Sequence, residues 1–69
     1  MIIPKTDEIR KRREDLGLTR CGLSRKAGLS TNALYRIETG KDSSYTHPIR
    51  ARAIAEALDC ELEDVFTVV

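Results

Sequence analysis

The chain has 69 residues, of which 33% are charged, and a formal net charge of +1 at pH 7. This length allows one small domain, which is predicted to span residues 1–69, and excludes a separate catalytic or sensory module. No segment approaches the ~20 apolar residues of a membrane span, and the start of the chain has no signal-peptide pattern. We therefore expect a cytoplasmic protein with no membrane contact and with both cysteines reduced.

Apolar residues recur at helical rather than alternating spacing along the chain, which predicts an all-α fold with five helices. Glycines at positions 17, 28 and 40 are expected to end the first three helices, because glycine adopts the left-handed conformation at little cost. The predicted helices are Asp7–Leu16, Arg20–Ala27 after the N-cap Thr19, Thr31–Thr39 after the N-cap Ser30, one that begins at Pro48, and Glu61–Phe66.

The inward faces of the last three helices follow from the same spacing. The third helix is expected to bury Ala33, Leu34 and Ile37, and the fifth Leu62, Val65 and Phe66. The stripe predicted to be buried on the fourth helix consists of Ile49, Ala53, Ile54, Ala57 and Leu58.

Charge is distributed unevenly along the chain. Residues 1–52 contain all 12 Lys and Arg with six acidic residues, whereas residues 53–69 contain five acidic residues and no basic one. Such a distribution suits a protein that turns a basic side towards a polyanion. If charge alone is considered, the alternative is that this uneven distribution arose by chance and does not indicate a polyanion partner.

The residues that usually support catalysis or metal binding are scarce. Cys21, Cys60 and His47 are too few and too far apart for a structural zinc site, and a catalytic thiol needs a histidine and a third group around it. Cys60 is expected to pack in the core, and Cys21 to be partly exposed. We expect no metal, no cofactor, no small-molecule ligand and no enzymatic activity.

Two short helices joined by a glycine-containing turn are typical of a helix-turn-helix. The run IRKRREDLGLTRCGLSRKAGLSTNALYRIETGK, followed by AIAEALDCELEDVF, resembles the lambda-repressor-like helix-turn-helix family of phage Cro and repressor DNA-binding domains. The matching elements are GLT, L-S-x-K-A-G-L-S, I-E-T-G-K and A-x-A-L-D-C, within about Asp7 to Phe66. The resemblance implies a compact five-helix domain with its helix-turn-helix at about residues 19–39, no cofactor, and a homodimer on double-stranded DNA.

The resemblance also implies an ion pair between Arg13 and Glu38 that ties the first helix to the third. Because such a pair loses hydration as it forms, it is expected to orient the third helix rather than to add much net stability.

Base readout is assigned to the side chains of the third helix that do not point inward. Arg36 can make a bidentate contact to guanine and Asn32 to adenine, whereas Tyr35 is better placed for a phosphate. Helix-start hydrogen bonding is the alternative role for Thr31 and Asn32, and an ordinary solvated arginine is the alternative for Arg36. The candidate set for base readout is Thr31, Asn32, Tyr35 and Arg36.

Phosphate contacts are expected from basic and hydroxyl side chains around the helix-turn-helix. Arg20 stands where the family often has a glutamine that holds a phosphate, and it keeps a donor while adding charge. For Lys26 an exposed, solvated role is equally compatible with the sequence. Tyr45 and His47 can reach the sugar-phosphate backbone or simply cover the core. The phosphate candidates are Arg20, Lys41, Arg10, Ser43, Ser44 and Lys26.

These expectations together describe a Cro-like repressor that binds a two-fold symmetric operator through the major groove and blocks polymerase. Its third helices would lie about 34 Å apart, and its dimer surface would include the fifth helix and residues 67–69. The resemblance to short Cro-like proteins implies a phage or mobile-element source in a bacterial cell. One alternative is an antitoxin-like protein-binding module that autoregulates its operon, and another is an architectural DNA binder without sequence preference.

Overall fold

In the part of the chain that the structure describes, five helices and one two-stranded sheet make up the fold. The structure is a computed structural model that describes residues 1–40 and 46–69. The elements, in chain order, are β1 (Ile2–Pro4), α1 (Thr6–Asp15), α2 (Arg20–Lys26), α3 (Ala33–Thr39), α4 (Pro48–Ala57), α5 (Leu62–Val65) and β2 (Phe66–Val68). The predicted helical fold class is confirmed, with the sheet as a minor addition that the sequence analysis did not predict.

The sheet joins the two ends of the described chain. β1 and β2 pair antiparallel, with Ile2 opposite Val68 and Pro4 opposite Phe66. The Lys5 N–H donates to the Val65 carbonyl oxygen at 2.8 Å, which extends the pairing past the sheet. The fifth helix was predicted to include Phe66, and this is wrong, because the backbone becomes extended at that residue. Residues 67 and 68, for which no regular structure was predicted, belong to β2.

All five helices contribute buried side chains to the core, and Phe66 of β2 completes it. Its large, fully buried apolar side chains are Ile9, Leu23, Leu34, Ile54, Val65 and Phe66. Cys60 packs against this cluster from a half-buried position, and Cys21 is also half-buried. Both cysteines therefore lie as the sequence predicted.

The buried stripe of α4 differs from the predicted one at Ile49 and Ala53. Ile54, Ala57 and Leu58 are buried as predicted, together with Ala51 and Ala55. Ala53 is only half-buried, and Ile49 is 76% exposed. Each helical residue turns the chain by about 100°, so a residue two positions before Ala51 points about 200° away from the buried stripe. The prediction that Ile49 faces the core is therefore wrong.

Helix length bears on the membrane question. Two helices of the described chain, α1 and α4, have ten residues each. Ten residues span about 15 Å, half the thickness of a bilayer core. Within residues 1–40 and 46–69, no helix is long and apolar enough to cross a membrane.

Candidate nucleic-acid interface

A tight turn sets the angle between α2 and α3. Gly28 has φ of +73°, a conformation that a side chain would strain. Its N–H donates to the Arg25 carbonyl at 3.0 Å, and the next N–H, of Leu29, donates to the Ser24 carbonyl at 2.8 Å. These two bonds close the end of α2 and direct the chain into α3, as in a helix-turn-helix.

Ser24 of α2 supplies the hydrogen bond that α3 needs at its start. The first N–H groups of a helix have no partner within the helix. The Ser24 hydroxyl oxygen accepts from the Leu34 N–H at 3.1 Å, and Ser24 is fully buried. Asn32, at the N-cap of α3, makes no side-chain capping bond. A side chain of the neighbouring helix thus takes the role that the sequence analysis had given to Ser30.

We expect Ser24→Ala to lower the free energy of unfolding by about 1–3 kcal/mol, because it leaves the buried Leu34 N–H without a partner. Urea denaturation followed by circular dichroism measures this change. The matched control is Ser30→Ala at an exposed position, where we expect a change within about 0.5 kcal/mol. Equal effects of the two variants would contradict the assignment of the capping role to Ser24.

The third helix begins two residues later than predicted. The predicted start at Thr31 is wrong, because Thr31 and Asn32 lie in the turn and α3 starts at Ala33. The Ala33 N–H donates to the Ser30 carbonyl at 3.0 Å, which closes this turn. Two readout candidates are therefore presented from the turn before the helix, and two from the helix itself.

One side of α3 is buried and the other is exposed. Ala33, Leu34 and Ile37 are at most 8% exposed. The predicted readout residues Thr31, Asn32, Tyr35 and Arg36 are all exposed. Thr31 and Asn32 are thus exposed in the turn before α3, and Tyr35 and Arg36 on the exposed side of α3.

Glu38 lies at the centre of a cluster that joins α1, α2 and α3. Its carboxylate accepts from Arg13 Nε at 2.9 Å and from Arg13 Nη2 at 3.2 Å, a bidentate ion pair. Arg13 also donates from Nη1 to the Leu18 carbonyl at 2.9 Å. The side chains of Arg13 and Glu38 are only 9% and 3% exposed. The two residues that the sequence paired are therefore in contact, and they fix α3 relative to α1.

Arg20 is the third charged member of this cluster, which we define as Arg13, Arg20, Tyr35 and Glu38. Its Nε donates to Glu38 Oε1 at 3.1 Å, and its Cζ lies 5.5 Å from the centroid of the Tyr35 ring. The Arg20 side chain remains 41% exposed. Arg20 was expected at a phosphate, and neither contact was predicted. Both contacts depend on where Glu38 and Tyr35 of α3 lie relative to α2, which no local pattern in the sequence shows.

The remaining phosphate candidates are scattered or undescribed. Arg10 on α1 and Lys26 at the end of α2 are exposed. His47 is the N-cap of α4, where its Nδ1 accepts from the Ile49 N–H at 3.3 Å. The candidates Lys41, Ser43 and Ser44, together with Tyr45, lie outside the described residues.

The described residues give little support for a metal site or for a nucleophilic cysteine. Among residues 1–40 and 46–69, no three His, Cys, Asp or Glu side chains are grouped so that they could hold a metal ion. Desolvation by burial raises the pKa of the Cys60 thiol, against a smaller opposing effect of the nearby Arg12 charge. A thiol with a raised pKa is less often ionised at neutral pH and so is a weaker nucleophile.

Comparison with known proteins agrees with this geometry. The helix-turn-helix family HTH_3 matches residues 9–65, so the chain belongs to this family. Membership of this family makes the chain a DNA-binding transcriptional regulator, a class that is typically non-enzymatic. It is of the Cro/C1 type, as the resemblance predicted.

A solved structure shares the fold. The crystal structure of the restriction-modification controller protein C.AhdI from Aeromonas hydrophila aligns with a TM-score of 0.76 and 24% sequence identity. The alignment covers 86% of this chain and 86% of that chain. No curated protein sequence gives a significant match.

Proposed function

We propose that the chain is a sequence-specific Cro-like repressor that binds a two-fold symmetric operator as a homodimer. The observation that supports this most is the polar, exposed side of α3, whose opposite side is held by the core, by Ser24 and by Glu38. A helix fixed in this way can present its side chains to base edges without losing much further freedom on binding. The exposed set is Thr31, Asn32, Tyr35 and Arg36.

Three of these side chains, Thr31, Asn32 and Arg36, have a chemistry that suits base edges in the major groove. The Arg36 guanidinium can donate two hydrogen bonds to guanine O6 and N7, and the Asn32 amide can pair with adenine N6 and N7. Thr31 can meet a base edge or a thymine methyl group. Exposed basic residues on the neighbouring helices, Arg10 and Lys26, would add contacts to phosphates, which position the domain without reading sequence.

Repression would follow from occupancy. Two copies would place their α3 helices in successive major grooves about 34 Å apart and exclude polymerase from an overlapping promoter in the bacterial cytoplasm. We place the dimer surface at α5 and the end of β2. Val68 and Val69 are 54% and 72% exposed, and the acidic residues Glu63 and Asp64 of α5 are also exposed. An apolar, acidic surface is poorly suited to DNA and better suited to a second copy.

Selection of bound duplexes from a random library tests this proposal, followed by titration of the selected duplex against a random one at two salt concentrations. A regulator should select a site with two related half-sites, whose spacing reports the dimer. Affinity no better than ~10⁻⁵ M for every duplex at moderate salt would contradict the proposal and favour the protein-binding alternative.

We expect Arg36→Ala to remove the preference at one base pair of each half-site, a loss of about 1–3 kcal/mol of discrimination there. Repeating the selection with the variant measures it. Arg25→Ala is the matched control, because it removes the same charge from an exposed position at the end of α2. The control should leave the selected sequence unchanged, and an identical loss of preference in both variants would count against readout by Arg36.

A further inference from the structure

The Arg20 side chain is held at two points before any DNA is present. Its Nε donates to the Glu38 carboxylate at 3.1 Å, and its Cζ lies over the Tyr35 ring, 5.5 Å from the ring centroid. Glu38 is itself fixed by the bidentate pair with Arg13, and its side chain is only 3% exposed. Arg20 is therefore anchored to a rigid carboxylate rather than to a mobile surface group.

The part of Arg20 that remains available is the end of the guanidinium. Nε is turned towards Glu38, and in the described part of the chain the two Nη groups have no hydrogen-bond partner. A guanidinium end with two parallel N–H donors matches two oxygens of a phosphodiester. Because the Arg20 side chain is 41% exposed and lies against Tyr35 on the exposed side of α3, this end is open to a phosphate beside the groove.

We infer that Tyr35 is a positioning residue for Arg20, and that Tyr35 and Glu38 together hold its guanidinium for a phosphodiester of double-stranded DNA. This inference rests on the proposed DNA binding by α3 and reassigns Tyr35, which does not read a base. A free arginine side chain loses rotamer freedom when it binds, which costs conformational entropy. Because contacts with Tyr35 and Glu38 already restrict the Arg20 side chain, less entropy is lost when it binds DNA. The ring contributes through cation–π attraction, which its hydroxyl does not supply.

The experiment uses the full chain, a random-sequence duplex at low salt and a double-mutant cycle between positions 20 and 35. Phosphate contacts do not depend on sequence, so the random duplex reports them directly. We expect Tyr35→Leu to weaken binding about two- to five-fold, and Tyr35→Phe to leave it nearly unchanged because the ring remains. In an Arg20→Ala background, Tyr35→Leu should have no further effect.

Two further readouts separate this role from others. Arg20→Ala should lower the slope of log affinity against log salt by about 0.9, as expected for one lost phosphate contact. Tyr35→Leu should leave the sequence preference of the selected duplex unchanged. Additive effects of the two substitutions, a loss in Tyr35→Phe equal to that in Tyr35→Leu, or an altered base preference would each overturn the inference.

Failure of the inference differs from failure of the proposed function. If the wild-type chain selects no sequence but binds random duplex at low salt, the proposal of a sequence-specific repressor is overturned. The double-mutant cycle between positions 20 and 35 on random duplex then still decides the role of Tyr35. If the wild-type chain binds no duplex even at low salt, both are overturned. Circular dichroism of each variant confirms that these exposed substitutions leave the fold intact.

Discussion

Replacing Glu38 with alanine is expected to destabilise the domain by about 3–5 kcal/mol, because it leaves the buried Arg13 guanidinium without its carboxylate. A chain of 69 residues has a total free energy of unfolding of about 3.5–10 kcal/mol, so the variant should lose roughly a third or more of its stability. Urea denaturation and thermal melting measure the loss.

Two matched variants make this result specific. Glu14→Ala removes an exposed carboxylate from α1 and should change the free energy of unfolding by no more than about 0.5 kcal/mol. The double variant Arg13→Met with Glu38→Leu should recover most of the lost stability, because apolar side chains often replace a buried ion pair without cost. A loss below about 1 kcal/mol in Glu38→Ala would contradict the role given to the pair.

The second large effect is expected from Phe66→Ala, with a loss of about 3–5 kcal/mol in the free energy of unfolding. Phe66 is 1% exposed and is the largest of the fully buried side chains, so its removal leaves a cavity where β2 meets the core. Chemical denaturation of the purified variant gives the value.

Val68→Ala in the same strand is the control, since Val68 is 54% exposed. Loss of its cross-strand contact with Ile2 should cost less than about 1 kcal/mol. If the two strand positions proved equally sensitive, the cavity at the core would not be the cause of the Phe66 effect.

Local patterns in the sequence predicted the helices well, because the start and end of a helix depend mainly on residues that are close together in the sequence. The glycines at 17, 28 and 40 all have positive φ, as their places after helices required. The start of α3 was missed because a hydroxyl from another helix satisfies its first turn, so Ser30 is not needed as a cap. A propensity for capping cannot reveal that a distant side chain already supplies the bond.

The sheet could not be predicted for a similar reason. Each strand has only three residues, too few for an alternating pattern, and each finds its partner at the opposite end of the chain. Within the candidate site, the resemblance gave the contact between Arg13 and Glu38. It did not give the contacts of Arg20, because this chain has arginine there instead of the family's frequent glutamine, and the geometry of that side chain depends on Tyr35 and Glu38.

The pairing of β1 with β2 has a consequence for how the chain folds. Helical bundles fold rapidly because most of their contacts are local in sequence. Here the register that places Ile2 opposite Val68 forms only when almost the entire chain has closed into one loop, which carries an entropic cost. We expect β1 to join late, after the helices have collapsed, and the refolding rate to lie below that of a purely helical domain of the same length.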